Sequence, residues 1–284
     1  MRPRPRRGRM RLALIYAVLI VGAVMNVFPI FWSFLTSIKP PQDTFAVPPV
    51  VFFKPTLQSY DLLLVSGTSA MAFDMRQLAT NSLVVALGST LLTMVTSVLG
   101  AYSLSRFRFA GRKQVAFIII ATRMLPPIAT AVPLFLLLNT LHLVDTHAGL
   151  IAAYTALNIP FAVWMLRGFM DEIPIDLEQA AMIDGCSRLG ALRRVIVPLI
   201  APGVAATAVF SFLLAWNDFA LALILTNSNA KTLPLIVMSF ITEEGILWGP
   251  MSAAASLILL PPVLFVIFAH RHLARGLTMG AVKG

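Results

Sequence analysis

Six apolar runs, each long enough to cross a bilayer as a helix, follow one another along this chain, with arginine and lysine clustered at every second connection. A helix rises about 1.5 Å per residue and the hydrocarbon core is about 30 Å thick, so about 20 apolar residues make one crossing. The runs are Leu12–Ile38, Leu78–Tyr102, Gln114–Thr140, Ala148–Arg167, Pro198–Thr226 and Met251–His270. With 58% hydrophobic and 12% charged residues among 284, and a mean hydropathy of +0.85, the chain carries more apolar side chain than a soluble core of this size takes up. The fold class expected is an all-α polytopic membrane protein with six transmembrane helices.

A net charge of +10 does not mark a nucleic-acid partner here, because the basic residues are spaced by the apolar runs. The residues before the first run, Arg106–Lys113, Arg167–Arg194 and the residues after the last run hold seventeen lysines and arginines. The intervening connections hold four, Lys39, Lys54, Arg76 and Lys231, and Arg123 lies inside a run. The positive-inside rule then puts both termini in the cytoplasm. The first run is too long for a signal-peptide core and no small-residue cleavage site follows it, so it is expected as an uncleaved anchor. Cys186, the single cysteine, cannot form an internal disulfide and falls on the expected cytoplasmic side, where thiols stay reduced.

Between the fourth and fifth runs lies a polar, charge-mixed island, Ile173–Pro202. Asp176 is placed to cap a helix that continues unbroken through Leu177–Ile183, and Gly185 supplies the left-handed residue that ends it. Ala180 and Ala181 leave one flank of that helix nearly bare, open to close approach by another surface. An ordinary cytoplasmic loop and a docking element both fit these residues.

The same residues carry a resemblance. Glu178-Gln179-Ala180-Ala181, then Asp184-Gly185, nine residues, and Val195-Ile196-Val197-Pro198 resemble the EAA loop of permease subunits of ABC importers. The departures are mild: Val195 and Val197 at aliphatic positions, and Gln179 within the alanine run. The resemblance implies a type I ABC importer permease fold, in which Glu178, Ala180, Ala181, Asp184, Gly185 and Pro198 belong to a coupling segment (about 173–200) that docks on a cytoplasmic ATPase. Phe53-Lys54-Pro55-Thr56-Leu57 with Tyr60, the sequence FLLAWNDF at Phe212–Phe219, and the ending Gly276–Gly284 resemble the carbohydrate branch, maltose- and trehalose-type permeases. It implies import of a sugar or polyol at the inner (cytoplasmic) cell membrane. The implied partners are a second permease subunit in a heterodimer, two ATP-binding subunits, an external solute-binding protein and membrane lipid. The chain divides accordingly into a basic cytoplasmic tail (1–11), a permease domain (12–270) and a C-terminal cytoplasmic tail (271–284).

Polar residues within the runs are the other candidates for function. Arg123 precedes Pro126 and Pro127, which free backbone carbonyls at membrane depth, and the guanidinium is expected to bond to those. Asn217 and Asp218 are expected in the outer half of a translocation path, separate from Arg123. Ser82, Ala86, Ser89, Thr93, Thr96, Gly100 and Ser103 recur at helical spacing in the second run and read as a packing stripe. The proline-rich external loop, Lys39–Gln77, is expected to be irregular apart from a short helix at Tyr60–Val65. No phosphate-binding loop, nucleophile–base pair or zinc spacing occurs, so neither enzymatic activity nor a cofactor or metal is expected. The alternative function is an ion-coupled secondary transporter working without an ATPase, which calls for intramembrane ion-binding groups beyond Arg123 and Asp218.

Overall fold

A computed structural model describes residues 6–44, 46–64, 74–243 and 245–279. Residues 1–5 of the basic tail, Val65 at the end of the expected loop helix, and the closing Gly280–Gly284 lie outside the described residues. Nearly everything described is helical, and it falls into two compact units: Met1–Ala72 with Val237–Ile258, and Phe73–Ile236 with Leu259–Gly284. The expected permease domain, 12–270, draws on both.

The first unit begins with α1 (Arg6–Ser37), whose run Leu12–Ser37 is long and apolar enough to cross a membrane. Two short helices follow, α2 (Pro41–Thr44) and α3 (Gln58–Leu64), the latter close to the expected position. Ser37 Oγ and Tyr60 Oη lie 2.8 Å apart, and the Thr56 amide donates to the Ile38 carbonyl at 2.9 Å, so the loop is tied to the end of α1. The buried Lys39 ammonium sits 4.5 Å from the centre of the Trp32 ring and 5.5 Å from that of Phe53. Ring faces supply the electron density that a desolvated cation otherwise lacks.

The second unit runs through α4 (Met75–Arg106), α5 (Arg112–Ala121), α6 (Pro127–Thr140), α7 (His147–Asp171), α8 (Ile175–Ile183), α9 (Arg188–Ala191), a π-helical turn at Leu192–Ile196, α10 (Val197–Leu199), α11 (Ala201–Trp216) and α12 (Ala220–Leu225). A two-stranded hairpin, β1 (Ile241–Thr242) and β2 (Gly245–Ile246), belongs to the first unit, and α13 (Trp248–Met279) draws on both. By length and apolarity α1, α4, α7 and α13 each qualify as a membrane span among the described residues.

The third and fifth runs are bent rather than single straight helices. Helix is interrupted between Met124 and Ile128, and the flanking pieces are bent by 101°. Pro126 and Pro127 lack the N–H groups the ladder needs there, and Leu125 is extended, as a residue before proline prefers. In the fifth run Pro198 belongs to the preceding segment, Arg188–Leu199, which meets α11 at an angle of 80° around Ile200. Further along, Asn217 and Asp218 separate α11 from α12. Up to six crossings result if each bent pair is one span.

Helices α4 and α7 form the centre of the second unit, with α11 packed on both. The stripe expected on α4 is buried at Ser82, Ala86, Ser89 and Thr93, then continues through Ser97 and Ala101 rather than through Thr96. A contact face steps mostly by four residues, so it drifts off a strict three-four alternation. Glycines allow the backbones to close. A Cβ on Gly88 would come within 2.8 Å of Ile151 Cδ1, and one on Gly203 within 2.4 Å of the Phe169 ring.

Gly203→Val is therefore expected to destabilise the chain by about 1–3 kcal/mol, as over-packing does. Phe169→Ala in the same chain is expected to recover part of the loss, measured as thermal unfolding in detergent. An unchanged midpoint for Gly203→Val would contradict this packing.

Candidate coupling surface and intramembrane polar site

The helix of the polar island begins earlier than expected. Pro174, not Asp176, occupies the N-cap position, and the side chains of Asp176 and Glu178 fall in the first turn, where carboxylates complement the helix dipole. At the other end Gly185 has φ +88°, the Gly185 amide donates to the Met182 carbonyl and the Cys186 amide to the Ala181 carbonyl. This paired closure satisfies carbonyls that the helix end would leave open. Ser187 then caps α9, its hydroxyl accepting from the Gly190 amide at 3.1 Å.

Glu178 is the one buried residue of α8, and its carboxylate turns inward. Arg106 Nε donates to Glu178 Oε2 at 3.1 Å, and Tyr102 Oη donates to Glu178 Oε1. The same guanidinium donates through Nη2 to the Ile173 carbonyl at 2.9 Å, so the last turn of α4 holds both α8 and the residue that leads into it. Phe107, edge-on to Tyr102, lies under the Arg188 guanidinium. Beneath this network Ala101, Tyr102, Leu166, Met170, Leu192, Ile196 and Ile200 form a continuous apolar core.

What α8 and its neighbours show to the outside is a different set. Ile175, Leu177, Ile183 and Leu189 are exposed, Ile183 by 86%. Ala180, Asp184, Gly185 and Pro198 are exposed and Ala181 is half-buried. Glu178, grouped with these residues by sequence, is an anchor behind the exposed face and not part of it. Its partners Arg106 and Tyr102 carry no signal in the sequence beyond their place at the end of a run.

Arg123 and Asp218 line one cavity of about 110 Å³, together with Tyr154, Leu157 and Asn158. Arg123 Nη1 donates to the Leu157 carbonyl at 3.0 Å, on α7 and not at the carbonyls around Pro126. Asp218 Oδ1 accepts from Tyr154 Oη at 3.0 Å and from the amides of Leu221 and Ala222 at 3.0 and 3.3 Å. Asn217 caps its own helix, donating to the Leu213 carbonyl at 2.8 Å, and borders a second cavity shared with Asp218. The ion pairs of the described residues are Arg106–Glu178 and Arg167–Asp171, and neither Arg123 nor Asp218 takes part in one. Among the described residues no group of three or more His, Cys, Asp or Glu is placed to hold a metal.

A third cluster was not anticipated. The Asp145 carboxylate, in the connection between α6 and α7, accepts four consecutive backbone amides, Asn227, Ser228, Asn229 and Ala230, at 3.0–3.1 Å. Asn81 on α4 donates to the carbonyls of Asn229 and Lys231, both at 2.9 Å, and meets His147 Nε2 at 2.7 Å. Burial alone would raise the Asp145 pKa, but the amides outweigh it and bring the group from 3.8 to about 2.

A family model for "Binding-protein-dependent transport system inner membrane component" matches residues 96–279. The chain belongs to this family. It is an inner-membrane component of ABC transporters. It is 34% identical to the diacetylchitobiose uptake system permease protein DasC of Streptomyces coelicolor, over 94% of both chains. Identity is also 34% to the trehalose/maltose transport system permease protein MalG of Thermococcus litoralis, over 94% of this chain and 96% of that one. The crystal structure of a bacterial ABC transporter involved in the import of the acidic polysaccharide alginate contains a chain that superposes with a TM-score of 0.76, at 22% identity. The match covers 95% of this chain and 99% of that one. The fold is that of type I ABC importer permeases.

Two predictions follow from these clusters. Arg106→Met leaves the Glu178 carboxylate buried without its cation and is expected to destabilise the permease by about 3–5 kcal/mol. Adding Glu178→Leu removes the stranded charge and is expected to restore much of that, seen in thermal unfolding; a double variant no better than the single one would contradict the pairing. For Asp145 the folded pKa lies below the unfolded one, so its contribution is fully present above pH 3.8 and is lost as pH falls through about 2. The stability gap between the native chain and Asp145→Asn is therefore expected to be constant at neutral pH and to narrow as pH falls from 4 to 2. A gap independent of pH in that window would rule out the charged latch.

Proposed function

We propose that this permease imports a sugar or polyol, with both termini in the cytoplasm, as one half of a permease heterodimer. Two cytoplasmic ATP-binding subunits hydrolyse the ATP, and an external solute-binding protein delivers the substrate. The relatives' names support the substrate class, since those named for a substrate are named for diacetylchitobiose, sulfoquinovosyl glycerol, trehalose or maltose. The observation that carries the coupling reading is the geometry of α8. A buried ion pair fixes it from behind, while Ile175, Leu177, Ile183 and the neighbouring Leu189 stand exposed. Exposed apolar side chains gathered on one element mark a surface that another protein covers. Ala180, Ala181, Asp184 and Gly185 lie on or beside that face and allow close approach, while Pro198 lies further along. Glu178 acts by holding the face in position. Displacement of α8 by an ATPase then reaches α4 directly through Arg106.

Ile183→Asp is expected to abolish substrate-stimulated ATP hydrolysis in the assembled, reconstituted importer, with membrane insertion unchanged. Normal stimulated hydrolysis in that variant would place the dock elsewhere. Substrate flux by the chain without ATPase subunits would instead support an ion-coupled transporter.

A further inference from the structure

The first unit holds two adjoining cavities, and we propose that together they seat one anionic phospholipid, its phosphate at Lys39 and one acyl chain along α1. Neither the cargo nor the direction of transport enters this proposal. The smaller cavity, about 230 Å³, is lined in part by Lys39, Gln58 and Ser59. The larger, about 470 Å³, lies between α1 and the start of α13, with Phe28 and Trp32 on its wall. Thr44 and Trp248 line both.

Depth and charge point to a headgroup. Lys39 follows the candidate span Leu12–Ser37 by two residues, and Trp248 opens the candidate span Trp248–Ile267. The smaller cavity therefore lies where two apolar helices leave the hydrocarbon, the level of headgroups and of interfacial tryptophans. Lys39 is only 3% exposed, and its ammonium meets the Trp32 and Phe53 rings. Among the described residues it joins no ion pair, and neither Asp43 of α2 nor Asp61 of α3 reaches it. A ring face attracts a cation but accepts its protons far more weakly than an oxyanion does. A buried ammonium beside an open space is thus a site for an anion. Ser59, 6% exposed, adds a hydroxyl to the same space. Gly249 lets the start of α13 close on it, since a Cβ there would stand 2.8 Å from Ser59 Oγ.

The larger cavity selects what carries that anion. Phe28, Trp32 and Thr36 recur every fourth residue, so the groove follows one face of α1 for about 12 Å towards the middle of the span. Trp248 and Ser252, also four apart, form the facing wall. Thr36 spends its hydroxyl on the Trp32 carbonyl at 2.9 Å, and Ser33 and Ser252 are small enough to leave room between the rings. At about 30 Å³ for a water-sized group, the groove takes about fifteen methylenes, one acyl chain. A 12 Å length of helix about 10 Å across has roughly twice that volume, so a helix of another subunit covers the groove rather than fills it. A space that is cationic at the interface and apolar below matches an amphiphile with a negative head. A zwitterionic lipid brings its own cation beside the phosphate, so Lys39 favours a headgroup with net negative charge.

The test uses the full-length permease with whatever subunits purify alongside it, and native mass spectrometry with phosphatidylglycerol and phosphatidylcholine as probes. The native protein is expected to retain phosphatidylglycerol about fivefold better than phosphatidylcholine, the scale of one lysine at a membrane surface. Lys39→Met keeps the side chain's bulk and is expected to bring that preference to within about twofold. Ser33→Trp leaves Lys39 in place, fills the groove and is expected to abolish the retained lipid. A native protein without the preference would overturn the proposal, as would a preference that survives Lys39→Met. A preference lost in Lys39→Met with retention intact in Ser33→Trp would reduce the site to a charged surface, and the acyl seat falls. Should Lys39→Met fail to assemble, the native preference and Ser33→Trp decide between these outcomes. In a second arm, a benzophenone attached at Ser33→Cys in a Cys186→Ser background is expected to capture phospholipid on illumination. Capture of a second permease subunit in its place would show that protein covers the groove, and the lipid site is then wrong.

Discussion

The Arg106–Glu178 pair is where the polar end of the second unit is joined to its apolar body. Both side chains are almost wholly buried, at 6% and 5% exposure. Burying two charges is expensive, and attraction between them offsets the loss only when the remaining donors and acceptors are also satisfied. Here they are: the guanidinium also reaches the Ile173 carbonyl and the Ser105 hydroxyl, and the carboxylate's other oxygen takes the Tyr102 hydroxyl. An apolar pair of the same volume could fill this space, but it would not fix the angle of α8 through directional bonds. The arrangement therefore serves position more than stability, because each bond constrains a different element.

Proline and glycine do related work elsewhere in the same unit. The break at Pro126 and Pro127 ends the helix one turn after Arg123, which lies at the bend, within reach of the Leu157 carbonyl. The interruption at Asn217 likewise frees the amides of Leu221 and Ala222 to hold the Asp218 carboxylate. Asp218 is thus stabilised by backbone that a break exposes, whereas Arg123 bonds to a carbonyl of the continuous helix α7.

This division also explains what could be read from the sequence. The number and place of the apolar runs followed from the thickness of a bilayer, and Gly185 as a helix terminator followed from its backbone freedom; both are local properties. Where the third and fifth runs bend is not legible in hydropathy, which does not register a bend, although Pro126 and Pro127 mark the place in the third. Side-chain chemistry points to Asp176 as the cap, whereas the chain enters α8 directly from Pro174, whose fixed φ already suits a helix start. The inward turn of Glu178 and the amide nest around Asp145 were not legible at all. Each depends on partners 72 and about 80 residues away, and only packing brings these together.

Those distant contacts are distributed along a single structural object. Helix α4 carries Asn81 near one end, tied to the Asn229 and Lys231 carbonyls, and Arg106 at the other, tied to α8. At about 1.5 Å per residue, these two ties stand about 37 Å apart. Helix α7 lies against it throughout, starting beside Asp145, passing Tyr154 and Asn158 at the polar cavity, and ending beside the core under α8. Gly88 and Gly100 seat Ile151 and Val163 so closely that sliding one helix along the other would drive side chain into backbone. Interiors packed this tightly compress little and pass strain on. The pair is held in register at both glycines, with the Glu178 tie at one end and the Asp145 latch at the other.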